Sequence, residues 1–405
     1  MNRGENMLID EILNKAQEYE EEMTQFLCDI VAIPSYSGQE KVVADRIADE
    51  MRKVGFDEVK IDGLGNVFGR IGNGKTRIAM DAHMDVVGVG DPTQWKHDPF
   101  EGKVENGIVY GRGAGDQKAG MASMVYAGKI IKDLGLEGDY TLYIIGSVME
   151  EVCDGLCWQY IVKEDRFKPD YVVITEPTNL NIYRGHRGRI EVRICTKGKS
   201  AHAAMPERGE NAIYKMARIV LGIERLNERL KSDPFLGKGT IVVSQIFFKS
   251  PSENAVPDEC VIHVDRRLTG GETKESSISE LKKVIKESGV DAEVIEQTYE
   301  GVAYTGRKYS SEKYFRTWMM DEDSDIVRSA VETYKALFNA EPKIGKWNFS
   351  TNGVATAGLF GIPTIGFGPA NEIYAHSPDD RAPVAHLVKA AAFYAYFPRA
   401  VSKRG

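Results

Sequence analysis

The stretch Arg77-Ile78-Ala79-Met80-Asp81-Ala82-His83-Met84-Asp85 sets the reading of the chain, because a short apolar run gives way abruptly to His and Asp. Residues 77–82 are too few for a helix of ordinary length and fit a strand buried on both faces. Similar runs follow at 141–147 and 171–175, and helical stretches at 118–134 and 155–162 alternate with them. Strands of this kind spaced by helices describe a parallel α/β sheet. Ligands of such sheets gather at the C-terminal strand ends, where His83 and Asp85 stand. A His followed two residues later by Asp supplies a metal ligand and a carboxylate to orient it, although alone it reads first as a solvated turn.

Working outward, helical periodicity over 7–33 ends at Pro34, and a second helix over 39–54 is stopped by Gly55. The pattern changes after Gly188. A strand at 189–196, a helix at 210–230, strands at 239–248 and 260–268, a helix at 273–288 and a strand at 291–297 make the split ferredoxin-like order. Residues 301–323 are aromatic, mixed in charge and without clear periodicity, and read as a long return connection. Helix and strand alternate again over 326–339, 363–367 and 386–397. The expected architecture is therefore a large α/β domain of residues 1–184 and 299–405, with a mixed, largely parallel sheet and helices on both faces. An α+β ferredoxin-like domain, 185–298, is inserted in it.

The composition, 42% hydrophobic and 28% charged, is that of a soluble globular protein. A net charge of -8 argues against nucleic acid or an anionic membrane as partner. No run approaches the roughly 20 apolar residues that span a bilayer, and the acidic, amphipathic N-terminus has no signal-peptide pattern. Five scattered cysteines read as reduced thiols in a cytoplasmic protein. Cys153 and Cys157 read as small apolar thiols on a helix.

Four further segments carry chemistry. Gly111-Arg112-Gly113-Ala114-Gly115-Asp116-Gln117-Lys118-Ala119-Gly120 leads into a helix. Its spacing matches neither the dinucleotide fingerprint nor the P-loop, and Asp116 would repel phosphate, so only nucleotide bound there would revive a nucleotide-binding reading. Asp116 is either an N-cap or an anion presented between two cations. Glu150-Glu151 follows a strand directly; one carboxylate can ligate while the other takes a proton from metal-activated water. Glu176 ends the next strand, and His376 follows the last. Each alone has an ordinary structural reading. Together, His83, Asp116, Glu151, Glu176 and His376 fall on one rim of one inferred sheet and suit a pair of ions roughly 3.5–4 Å apart. Mixed nitrogen and oxygen ligation allows zinc, cobalt or manganese.

These motifs, in order along nearly the whole chain, resemble the zinc aminoacylase/carboxypeptidase family of metallopeptidases, which includes acetylornithine deacetylase and succinyl-diaminopimelate desuccinylase. The resemblance implies that His83 and Glu176 bind one metal, His376 and Glu151 the other, and that Asp116 bridges them. It also implies Glu150 as general base, Asp85 as partner of His83 and a cis peptide at Asp116–Gln117. In Gly198-Lys199-Ser200-Ala201-His202, His202 resembles the lid histidine that stabilises the oxyanion, often from a partner subunit, which implies a homodimer. Asn254 and Arg267 match positions that hold a substrate carboxylate, and Asn371 is a further substrate contact or an ordinary turn residue. The implied activity is hydrolysis of an amide in a small N-acyl amino acid or short peptide; the rival is a catalytically silent homologue that keeps only the fold.

The chain departs from the family pattern in three places. His186 replaces one arginine of an expected anion clamp, Asn352 stands where a carboxylate is usual, and Asp379-Asp380 follows the last His. The insertion at 301–323, with Tyr304, Tyr309, Tyr314 and Trp318, resembles that of a bacterial peptidase branch linked to selenium metabolism.

Overall fold

A computed structural model describes residues 3–404. The strand expected from the opening stretch is Thr76–His83, and its last six residues are buried. It lies between Tyr140–Ser147 and Tyr171–Ile174, parallel to both, and Thr364–Gly366 continues the parallel set beyond Tyr171–Ile174. This centre belongs to a nine-stranded sheet. Val67–Ile71 and Glu58–Ile61 extend one side antiparallel; Ile182–His186, with Trp318–Met319 and Ile344–Trp347, extends the other. The mixed, largely parallel sheet is thus the one the sequence predicts. Its outer strands escaped the reading because they are short and lack an apolar run.

Helices Ala119–Leu134 and Val384–Ser402 pack on each other and on the central strands. Both are apolar nearly all round, as expected of helices enclosed by neighbours. Phe367 stacks on Phe393 at 3.8 Å between ring centres, which fixes the strand leading to His376 against the last helix. The predicted helix over 7–33 is two, Arg3–Glu18 and Glu20–Val31, broken at Tyr19.

The second sheet has the order Thr240–Lys249, Glu259–Leu268, Gly188–Lys197, Glu293–Glu296, every pair antiparallel. Helices Ala212–Arg229 and Lys274–Glu287 supply the other half of its core, which draws on residues between Ile190 and Ile285. Strand Glu259–Leu268 alternates buried and half-buried residues throughout, the period-two pattern of a sheet covered on one face. Order and connectivity are those of the ferredoxin-like split motif. The edge strand Thr240–Lys249 leaves Val242, Ile246, Phe247 and Phe248 exposed.

The region 301–323, read from sequence as a long return connection, carries short strands of its own. Strands Thr298–Val302 and Lys308–Glu312 form a hairpin, Tyr314–Phe315 joins the second sheet and Trp318–Met319 the first. The elements are two to five residues long, below the length at which a sequence period shows. Among the described residues no helix is long and apolar enough to cross a membrane.

Candidate metal centre

The parallel strands order the site. His83 is the last residue of Thr76–His83, Glu150 and Glu151 lie in the turn after Tyr140–Ser147, and Glu176 follows Tyr171–Ile174. Asp116 precedes helix Ala119–Leu134, and His376 follows Glu372–Tyr374 beyond Thr364–Gly366. Adjacent parallel strands end on one rim, and the five side chains meet there. His83 Nε2 lies 3.1 Å from Asp116 Oδ1 and 3.5 Å from Glu176 Oε1. His376 Nε2 lies 3.3 Å from Asp116 Oδ2 and 2.9 Å from Glu151 Oε2. The two oxygens of Asp116 therefore face two different histidines.

Two groups, His83 with Glu150 and Glu176, and His83 with Asp116 and Glu151, converge closely enough to hold a metal ion. Protein groups alone satisfy them poorly: Glu150 Oε1 and Glu176 Oε2 are buried and find no hydrogen-bond partner. Burial, with Asp154 beside it, pushes the Glu150 carboxyl well above the usual range; burial and Asp116 do the same to Glu176, and more mildly to Glu151. Burial alone would lower His83, but its hydrogen bond to Asp116 and the charge of Glu176 raise it well above its ordinary value. Hydrogen bonds to Asp116 and Glu151 raise His376 to about 10. Crowded carboxylates without enough donors are the charge pattern that a divalent cation answers. The donor set of imidazole nitrogen and carboxylate oxygen fits zinc, cobalt or manganese.

A second layer of residues fixes these groups. His83 Nδ1 lies 2.9 Å from the Asp85 carbonyl and 3.6 Å from its carboxylate. The Asp85 carboxylate instead accepts from the backbone N–H of Glu150 and of Glu151, both at 3.1 Å, and from Ser37. It holds the acidic turn as much as the histidine. Asp380 explains the glycine-rich loop. Its carboxylate accepts from the N–H of Gly113 and Gly115 and from Arg112, clamping the loop that presents Asp116. Gly113 has φ 83, a left-handed conformation that favours glycine. The Asp116–Gln117 peptide is cis, as the resemblance implies.

The departures have structural partners. Asn352 Nδ2 donates to the buried Asp81 carboxylate at 2.8 Å and to Ser147, while its oxygen accepts from Gly155 N–H. An aspartate there would have set two carboxylates together away from water. His186 is buried between Trp318 and Trp347. Its Nδ1 donates to the Arg187 carbonyl and its Nε2 accepts from Thr351 N–H, so burial holds it neutral, lowered to about 4. It is a packed histidine rather than half of an anion clamp.

A cleft of about 330 Å³ opens beside the cluster, lined by Asp116, Glu150, Glu151, Glu176 and His376 and also by Arg267. Sequence reasoning missed Asp154, Arg189, Ser350 and Glu372, which line it too. Glu372 carried a signal, four residues before His376; Arg189 carried none, being one of many strand-surface charges. Arg267 is also held by Asp265, with Nε to Oδ1 at 2.8 Å. His202 and Asn254 come together elsewhere, on exposed loops joined by the Ala203 N–H to the Asn254 carbonyl. Neither is among the residues lining the cleft. Asn371 caps the turn Glu372–Tyr374, its side chain accepting from Ile373 N–H.

A parallel-centred sheet that gathers histidines and carboxylates on one rim, with a ferredoxin-like domain inserted, is the build of a metal-dependent amidohydrolase. The chain belongs to peptidase family M20/M25/M40, whose model matches residues 79–400. The uncharacterized protein YgeY of Escherichia coli (strain K12) is 52% identical over 387 residues, covering 96% of each chain. Succinyl-diaminopimelate desuccinylase of Ehrlichia canis is 25% identical over 92% of this chain and 96% of its own. Among solved structures, Bacillus subtilis YxeP, a dinuclear metal binding peptidase, superposes with a TM-score of 0.68 at 15% identity, over 96% of this chain and 99% of its own.

Two outcomes are expected. Asn352→Asp should cost about 3 kcal/mol in urea unfolding at neutral pH, and less in acid, where one of the facing carboxyls is protonated. His186 has a folded value of about 4 against 6.5 for an ordinary histidine. The unfolded chain therefore binds the extra proton, and the stability due to neutral His186 is complete above pH 6.5 and lost as pH falls towards 4. It amounts to about 3 kcal/mol. The stability gap between the native chain and His186→Gln, followed by thermal melting, should shrink across that window.

Proposed function

We propose that this hydrolase uses two metal ions to cleave an amide bond in a small N-acyl amino acid or short peptide, with Glu150 as general base. The observation that carries the reading is Asp116, whose two oxygens face His83 and His376 separately, as a bridge between two ions requires. His83 and Glu176 would complete one site, His376 and Glu151 the other, with zinc the metal of choice and cobalt or manganese compatible. YxeP, named for a dinuclear metal site, and the desuccinylase, named for removing an acyl group, support the same reading.

Bound divalent ions supply a Lewis acid for the amide carbonyl and acidify water. Glu150 takes the proton from the attacking water and returns it to the leaving nitrogen. Its burial, its partnerless Oε1 and the neighbouring Asp154 suit it to hold that proton. Asp85 orients His83 and keeps Glu150 and Glu151 in register. Arg267 offers the substrate carboxylate a guanidinium in the cleft, and Asn371, which caps the turn beginning at the cleft-lining Glu372, would add a substrate contact.

His202 and Asn254 lie on the inserted domain, 185–298, which acts as a lid and dimerisation domain. His202 would donate to the oxyanion, and Asn254 would help hold the substrate carboxylate, when a lid is brought over the cleft. The unpaired edge Thr240–Lys249, with Val242, Ile246, Phe247 and Phe248 exposed, supports pairing with a second copy.

Glu150→Gln should keep its metal by elemental analysis and lose about 10²–10⁴-fold in kcat on an N-acyl amino acid and dipeptide panel; full turnover in that variant would sink the base. Chelation should abolish activity, and zinc, cobalt or manganese should restore it. In sedimentation the chain should run as a dimer, and Phe248→Glu as a monomer. Mixed dimers of His202→Ala and Glu150→Gln should regain activity if His202 reaches the partner's cleft, and stay inactive if it serves its own.

A further inference from the structure

The hairpin Thr298–Val302 and Lys308–Glu312 is anchored at both ends to different bodies. Its base belongs to the inserted domain's sheet. The strand before it, Glu293–Glu296, and the one after it, Tyr314–Phe315, both pair with Gly188–Lys197. Lys274 binds Glu296 at 3.0 Å and Glu312 at 2.9 Å, one on each side of the base. Its tip is fastened to the catalytic body. Tyr304 Oη donates to the Gly65 carbonyl at 2.9 Å, and Thr305 Oγ1 to that of Gly63 at 2.9 Å. Tyr309 meets Tyr160 edge-on at 5.2 Å, and Gln159 donates to Ser311 at 2.6 Å.

Between base and tip, Gly301 lies against Met149. A Cβ on Gly301 would stand 2.4 Å from Met149 Cε and 2.7 Å from the Tyr299 ring, so a side chain there has to displace the methionine and press on the tyrosine. Met149 is buried and has φ 59. That left-handed backbone costs a residue with a Cβ about 1–2 kcal/mol, and the turn needs support from outside to keep it. Glu40 supplies part of it, accepting from Met149 N–H at 3.0 Å, and the hairpin covers the Met149 side chain. The next two residues are Glu150 and Glu151.

We infer that the hairpin 298–312 is a positioning element for the Glu150–Glu151 turn, acting through the Gly301–Met149 contact and tying that turn to the inserted domain. The inference rests on the reading of Glu150 as the base. Gly301 and Met149 are positioning residues, since neither lines the cleft. They act through the backbone of the acidic turn, and a base displaced by about 1 Å can lose about 10²-fold in rate.

The test is a size-exchange cycle on the full-length, metal-loaded enzyme with any amide it cleaves. Gly301→Val should lower kcat by about 10–10²-fold while KM moves less than about threefold and metal content holds. Met149→Ala should lower kcat as well, and the double variant should recover part of the loss, because the smaller residue at 149 relieves the closest contact of a side chain at 301 while Tyr299 stays beside it. A Gly301→Val enzyme with native kcat, or a double variant no better than the worse single one, overturns the inference. If Gly301→Val does not fold, Tyr304→Phe decides: a fall in kcat at constant KM supports positioning, and an unchanged kcat overturns it. Glu150→Gln run alongside separates the two readings, since an active Glu150→Gln removes the base, whereas an inactive one beside a fully active Gly301→Val removes only the positioning role.

Discussion

Crowded buried negative charge is the constraint around which this protein is organised. Asp116, Glu150, Glu151 and Glu176 share one strand-end rim, where His83 and His376 are the cations paired with them among the described residues. Asp116 answers both histidines, while one oxygen each of Glu150 and Glu176 is left without a donor. In a low-dielectric setting such a cluster is tolerated only if a cation joins it or its members take up protons. The surrounding chain prevents the third escape, in which the side chains swing out to water.

That restraint comes from a second set of buried carboxylates acting on backbone rather than on ions. Asp85 holds the N–H groups of Glu150 and Glu151, and Asp380 holds those of Gly113 and Gly115. Asp81 binds Asn352, which in turn accepts from Gly155 at the end of the acidic turn. Asp85 and Asp380 are satisfied on both oxygens by fixed donors and add rigidity without adding an unmatched charge to the rim, whereas Asp81 keeps one buried oxygen, Oδ1, without a partner. Asn352 shows why the residue usual at a position can change: with Asp81 on the strand beneath it, an amide donates to that carboxylate and still accepts from Gly155, as an ionised carboxylate cannot.

Several of these relations were legible in the chain. The apolar run ending in His83 gave the strand, and its recurrence before Glu150 and Glu176 gave the parallel centre, because strands buried on both faces leave no polar alternation to confuse them. The ferredoxin-like order of the inserted sheet was readable from helices and strands long enough to show their periods. The hairpin at 298–312 was not, because each strand is five residues long and is stabilised by what it packs against. Arg189 and Asp154 were equally invisible. Nothing local distinguishes a cleft-lining charge from a solvated one, and Arg189 meets Asp154 only when two sheets come together.

The sequence by itself therefore determined which side chains are candidates to hold metal, the strands that end in them and the family pattern they make, since those depend on residue type and local period. Only the tertiary structure decided how they are shared. It turned the two oxygens of Asp116 towards different histidines and gave Asp85 to the acidic turn. It made His186 a packed neutral ring, and it seated a hairpin on Met149. Each of these depends on distances between segments remote in sequence, and no local preference encodes such a distance.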